Sequence, residues 1–128
     1  MRTVILLLVL GLFALIFSLQ GEGEYSLRAN RQLVVGFGDL REGEQLNRKF
    51  RVISRDDIEE TVIGVIPGCG CTSATVEDKT IPAGGSTELS VVIDTKGRSG
   101  KQTFRVDVLF ADGKVGSLVM VGNVKPKS

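Results

Sequence analysis

The chain has 128 residues, with 16 Lys and Arg against 15 Asp and Glu, and it contains neither His nor Trp. That length predicts a single core, and once residues 1–20, whose sole charge is Arg2, are set aside the body is electrically neutral, without the basic excess on which nucleic-acid binding depends. The absence of His removes the commonest general base, metal ligand and nucleophile-activating partner, so the chain is expected not to be an enzyme, although paired-carboxylate designs survive that loss.

From Val4 to Leu19 the chain reads VILLLVLGLFALIFSL, an apolar helix preceded by Arg2. Its length falls between a secretory apolar region of about 7–15 residues and a spanning helix of about 20. Residues 1–20 are therefore read as a signal peptide or an N-terminal membrane anchor. The exit Phe17-Ser18-Leu19-Gln20-Gly21 has no Ala-x-Ala pattern and no Cys for lipid attachment, which favours an uncleaved anchor. Arg2 before the run, with Glu22 and Glu24 after it, puts the N-terminus in the cytoplasm and residues 21–128 on the periplasmic or cell-surface side. Cleavage would make the domain a secreted one. A buried core helix is disfavoured, because the segment shows no polar face.

Residues 21–30 are polar and Gly-containing and read as a tether, residues 31–124 as the folded body, and 125–128 as a tail. Period-two alternation dominates the body. Strands are expected at Arg31–Val35, Lys49–Val52, Thr61–Ile66, Thr72–Val76, Ser86–Asp94, 101–110 and 115–124. In the last pair, Phe104, Val106 and Val108 share one face while Arg105 and Asp107 share the other. Ala111-Asp112-Gly113-Lys114 between them predicts a two-residue hairpin loop and antiparallel neighbours. Gly84-Gly85 and Gly97-Arg98-Ser99-Gly100 mark further turns. About seven short strands without a helix after residue 20 predict an all-β fold, an immunoglobulin-like β-sandwich.

At Cys69-Gly70-Cys71-Thr72 the body resembles a bacterial family known as domain of unknown function 1573, whose hallmark is a Cys-Gly-Cys-Thr block after the third strand. Gly36-Phe37-Gly38-Asp39-Leu40, Ile81-Pro82-Ala83-Gly84-Gly85-Ser86, Val92-Ile93-Asp94, Gly97–Gly100 and Val121-Gly122-Asn123-Val124 follow in the family's order over residues 31–124. Two positions depart from its pattern: Gly36 replaces an Asp, and Ser54-Arg55-Asp56-Asp57 replaces an Asn-Gly turn. The resemblance implies a small immunoglobulin-like module of secreted and envelope proteins, and no established activity.

Cys69 and Cys71 are the candidate site, open to three readings. They can form the chain's one intramolecular disulfide, as a staple or as buried filling of a corner. The same bond can serve thiol redox chemistry if it is exposed and a cation stabilises its thiolate, Lys79 and Arg98 being the candidates. Two free thiols can also take Cu(I), whereas zinc lacks a full ligand set. Pro67 and Pro82 are read as loop stiffeners. The acids Asp56, Asp57, Glu59 and Glu60 lack the spacing of a calcium loop and read as a solvated turn. Arg48, Lys49 and Arg51 read as the wet face of a strand.

These readings predict a membrane-tethered or exported, non-catalytic envelope module for protein–protein interaction or scaffolding, the alternative being a thiol-redox or Cu(I)-handling protein. The expected partners are an envelope protein and the membrane, through residues 4–19, with no nucleic acid. No catalytic residue, resident metal or cofactor is assigned.

Overall fold

The computed structural model describes residues 25–55 and 57–127. The signal or anchor segment and the beginning of the expected tether lie outside the described residues. No helix among the described residues is long and apolar enough to cross a membrane.

Nine strands occur among the described residues: β1 (Ser26–Leu27), β2 (Gln32–Arg41), β3 (Gln45–Ile53), β4 (Glu60–Pro67), β5 (Thr72–Val76), β6 (Thr80–Ile81), β7 (Ser86–Asp94), β8 (Gly100–Phe110) and β9 (Val115–Lys125). They form a four-stranded sheet, β1-β3-β7-β5, and a five-stranded sheet, β2-β9-β8-β4-β6. The all-β expectation holds. All seven expected strands are present, with β5 and β7 at the bounds read from sequence. The two additions, β1 and β6, have two residues each, too few to carry a period.

Alternation along the strands builds one core between the sheets. Leu46, Phe50 and Val52 of β3 with Leu89, Val91 and Ile93 of β7 meet Phe104, Val106, Val108 and Phe110 of β8 and Leu118, Met120 and Val124 of β9. Each of these aliphatic and aromatic side chains contributes about 1.5–3 kcal/mol by leaving water. Tilted rings of Phe37 and Phe104, 5.7 Å apart between centroids, join β2 to this core.

Three expectations are corrected. The tether is shorter than residues 21–30, because β1 pairs in parallel with β3, Ser26 opposite Arg51, and buries Leu27 completely. The tail is shorter than 125–128, since Lys125 belongs to β9 opposite Arg41. The β8–β9 connection is not a two-residue turn. Gly113 N donates to Phe110 O at 3.0 Å and Phe110 N to Lys114 O at 2.9 Å, and Gly113 has positive φ whereas Asp112 does not. That is a three-residue loop, a type I turn followed by a left-handed glycine.

Register divides the loops between two ends of the molecule. Gln45 faces Asp94 and Thr72 faces Ile93, so the β2–β3 turn, the β4–β5 corner and the β7–β8 turn share one end. There the fully buried Thr95 donates its hydroxyl to Glu44 O at 2.6 Å and accepts from Gly43 N at 3.0 Å. At the other end, Arg55 donates from N and Nε to Glu60 Oε1 at 3.0 and 2.8 Å and from Nη2 to Asp112 Oδ2 at 2.8 Å. The Glu60 hydrogen bond holds the Arg55 guanidinium above its ordinary pKa, against desolvation and helped by the charges of Glu60 and Asp112. Glu60 is thus buried and ion-paired, and the acid run is not uniformly a solvated turn; Asp57 and Glu59 are exposed.

Candidate functional site

The β4–β5 corner is built by close backbone approach. Gly68 N donates to Arg105 O of β8 at 2.7 Å, and a Cβ on Gly68 would lie 3.2 Å from that oxygen and 3.4 Å from Arg105 Cβ, so glycine is what lets the strands meet there. Thr72 N donates to Cys69 O at 3.2 Å and closes the turn, while Asp94 N donates to Cys71 O at 2.9 Å and starts the β5–β7 ladder.

Inside this turn Cys69 and Cys71 form a disulfide with their Cα atoms 5.3 Å apart, within the usual span of the bond. Both are half-buried and pack against the core. Between them Gly70 is exposed, does not have positive φ, and a Cβ there would meet no atom within 4 Å outside the two cysteines themselves. Its contribution is open space over the corner, not the left-handed bend that a glycine between two cysteines suggests. Beneath, the buried Thr72 places Oγ1 3.4 Å from Cys69 Sγ and 3.5 Å from Cys71 Sγ. With both sulfurs bonded to each other, no thiolate is available to Cu(I) in this state.

Of the two cations offered as candidates beside the sulfurs, Lys79 is carried away from them and Arg98 shares their end of the molecule. Lys79 follows β5 at its far end, and five strand residues at about 3.3 Å each separate it from the corner. Arg98 lies in the β7–β8 turn, at the same end as the corner, where its N donates to Thr95 O at 3.0 Å. A cationic residue that does touch the corner is Arg105, through its backbone. Its guanidinium is engaged elsewhere, by Asp107 Oδ1 at 3.0 Å and Ser117 Oγ at 3.2 Å. Nothing local in the sequence announces that contact, because Gly68 and Arg105 meet through the β4–β8 register alone.

Among the described residues, no three His, Cys, Asp or Glu side chains are grouped to hold a metal ion. Arg48, Lys49 and Arg51 are exposed on β3, with Lys49 Nζ 3.3 Å from Glu88 Oε1.

Comparison with known proteins places this fold. A protein of unknown function from Porphyromonas gingivalis W83 superposes with a TM-score of 0.60 at 14% identity, over 77% of this chain and 47% of that one. The VesB protease of Vibrio cholerae follows at 0.57 and 16%, over 72% of this chain and 30% of that one. The secreted serine protease VesC of the same organism gives 0.56 and 8%, over 79% and 23%. The chain therefore spans less than half the length of each of these structures. At such identities the likeness is one of fold. No curated protein matches the chain by sequence. The family described as Protein of unknown function (DUF1573) matches residues 29–124, which contain both cysteines, the corner, β2 to β8 and all of β9 but Lys125, and the chain belongs to that family.

Proposed function

We propose that the chain is a non-catalytic module of the cell envelope that captures an extended segment of a protein partner as an added strand on the open edge of β5. One observation carries this reading: β5 is an edge strand without the charge, proline or bulge that often blunts an edge. Strand β2 is interrupted by a bulge at Gly36/Gly38 and ends in Asp39 and Arg41. Strand β4 has a bulge at Val62/Gly64 and closes on Pro67. Arg48 and Lys49 stand on β3 before its partner β1 begins. Strand β5, Thr-Ser-Ala-Thr-Val, has neither charge, proline nor register shift.

The ladder supplies the geometry. Asp94 N donates to Cys71 O and Glu77 N to Glu88 O, so residues 71, 73, 75 and 77 bond β7, and Ala74 and Val76 turn their N–H and C=O outward. An extended peptide completes such a row with main-chain hydrogen bonds. We further read the sheets as immunoglobulin-like: β1-β3-β7-β5 follows the A-B-E-D order and β4-β8-β9 the C-F-G order of that sandwich. Recurrence of the fold as 47%, 30% and 23% of longer chains suits a module. The apolar run Val4–Leu19 is proposed to hold it at the outer face of a membrane.

The test is a photoreactive residue replacing Thr75, illuminated in intact cells. Capture on β5 is expected to give one discrete adduct that disappears in an Ala74→Pro background. Adducts of equal yield from Thr103, on the outer face of the other sheet, or adducts indifferent to Ala74→Pro, would sink the proposal.

A further inference from the structure

We infer that Cys69–Cys71 is a thiol-exchange site that oxidises a dithiol peptide or protein segment, with Thr72 as the positioning residue that stabilises the departing thiolate. This exchange is a stoichiometric, single-turnover reaction of the pair and does not depend on strand capture at β5, which is itself non-catalytic.

The magnitude of the bond's structural benefit is the first argument. In the chain-entropy relation a disulfide contributes according to the loop it closes, about 3 kcal/mol for a 15-residue loop but only about 1.6 kcal/mol for a loop of three. A bond between residues two apart therefore restrains the unfolded chain weakly. The second argument is access. The corner is half-buried rather than sealed: Gly70 is exposed, and apart from the two cysteines no residue comes within 4 Å of where its Cβ would be. An attacking thiolate must reach a sulfur along the S–S axis, and crowding governs that approach.

Thr72 supplies the third. It is 4% exposed, and the two sulfurs, at 3.4 and 3.5 Å, are the hydrogen-bond partners of its hydroxyl among the described residues. While the sulfurs are bonded to each other neither is charged, and the contact is weak. On exchange the leaving sulfur takes a full negative charge, and whichever sulfur leaves, the same hydroxyl is within reach to donate to it. Such charge-assisted hydrogen bonds are roughly twice as strong as neutral ones. Since Arg105 is held by Asp107 and Ser117, this hydroxyl takes the place of the cation that usually lowers a thiol's pKa.

The step balances as follows. A thiolate of the partner attacks one sulfur, the Cys69–Cys71 bond breaks, and its electron pair stays on the other sulfur, which accepts the Thr72 hydrogen bond. The partner's second thiol loses its proton and attacks the mixed disulfide, releasing the second cysteine. Two electrons and two protons pass to the pair, which becomes a dithiol, and the partner becomes a disulfide.

The test uses the oxidised full-length protein and a short synthetic peptide with two cysteines, followed by alkylation and intact mass. Stoichiometric peptide disulfide in a single turnover is expected, with the fold retained. Thr72→Val is expected to slow exchange about tenfold and to move the pH midpoint for alkylation of the reduced protein upward, and Thr72→Ser to restore both. Gly70→Val, whose Cβ would meet no residue other than the flanking cysteines within 4 Å, is expected to slow the attack without moving that midpoint. A disulfide that survives excess peptide in the folded protein overturns the inference. So does wild-type exchange and an unmoved alkylation midpoint in folded Thr72→Val; should that variant not fold, wild-type exchange in Gly70→Val decides against it.

Discussion

At Gly122 the chain has no room for a single methyl group: a Cβ would collide with the Phe37 ring and lie 2.6 Å from Gly38 O. The parallel β2–β9 pair closes at that point, beside the bulge in β2, so the obstacle includes backbone that cannot swing away. Gly122→Ala is expected to cost about 3 kcal/mol by overpacking, read as a lower urea midpoint. Thr95 makes the opposite case, a polar group that cannot be spared. Thr95→Val would take the acceptor from Gly43 N–H beside a fully buried side chain, while Glu44 O keeps the backbone N–H of residue 95 at 3.3 Å, and a loss of about 2 kcal/mol is expected in the same assay. Replacing both Cys69 and Cys71 by Ser should cost less, about 1.6 kcal/mol, because so small a ring restrains little. A loss of 4 kcal/mol or more would instead mark the bond as a structural staple.

Among the elements, strands with a sustained period were legible and brief ones were not. The pattern of Ser86–Asp94 predicts β7 from end to end because every second residue enters the core, and the sole apolar residue on its other face, Val92, lies between Asn47 and Ser73 on the polar outer side. No such signal exists for β1 or β6, whose two residues are fixed by what β3 and β4 offer them. The candidate site divides in the same way. The cysteine pair and the corner are local and readable, whereas the Thr72 hydroxyl under both sulfurs and the Arg105 backbone against Gly68 depend on how the chain folds back on itself. Lys79 is close to Cys71 in sequence, but the extended β5 between them carries it to the other end of that strand. Strand parity itself makes a prediction at this scale. Ser73 directs its N–H to β7 and Ala74 directs its own outward. Ser73→Pro should therefore cost about 3 kcal/mol, and Ala74→Pro, at an edge position that tolerates proline, about 1 kcal/mol or less. Equal costs in thermal unfolding would mean that the edge of β5 is already engaged.

For the whole molecule, the boundary of the folded unit decides how far the domain would stand from a membrane under the anchoring proposed above. A tether running from residue 21 to 30 would give it long reach, but Leu27 has no exposed surface, Ala29 is 4% exposed, and Arg28 O lies 2.8 Å from where a Cβ on Gly116 would be. The core therefore extends back at least to Leu27, and five residues, Gln20 to Glu24, separate Leu19 from Tyr25. At about 3.5 Å per residue such a connection spans roughly 20 Å when fully extended. If residues 4–19 stay in the bilayer, the domain works close to the membrane, and a partner strand must be presented there. Leu27→Ala should cost about 3 kcal/mol, as expected for a buried leucine. A chain begun at Arg31 loses Leu27, Ala29 and the β1–β3 pairing together and should be destabilised beyond that, whereas a chain begun at Tyr25 should unfold as the full chain does. Comparing the three by urea titration locates the boundary. If removing residues 25–30 leaves the midpoint unchanged, β1 is not part of the cooperative unit, and the longer tether, with its wider reach, is restored.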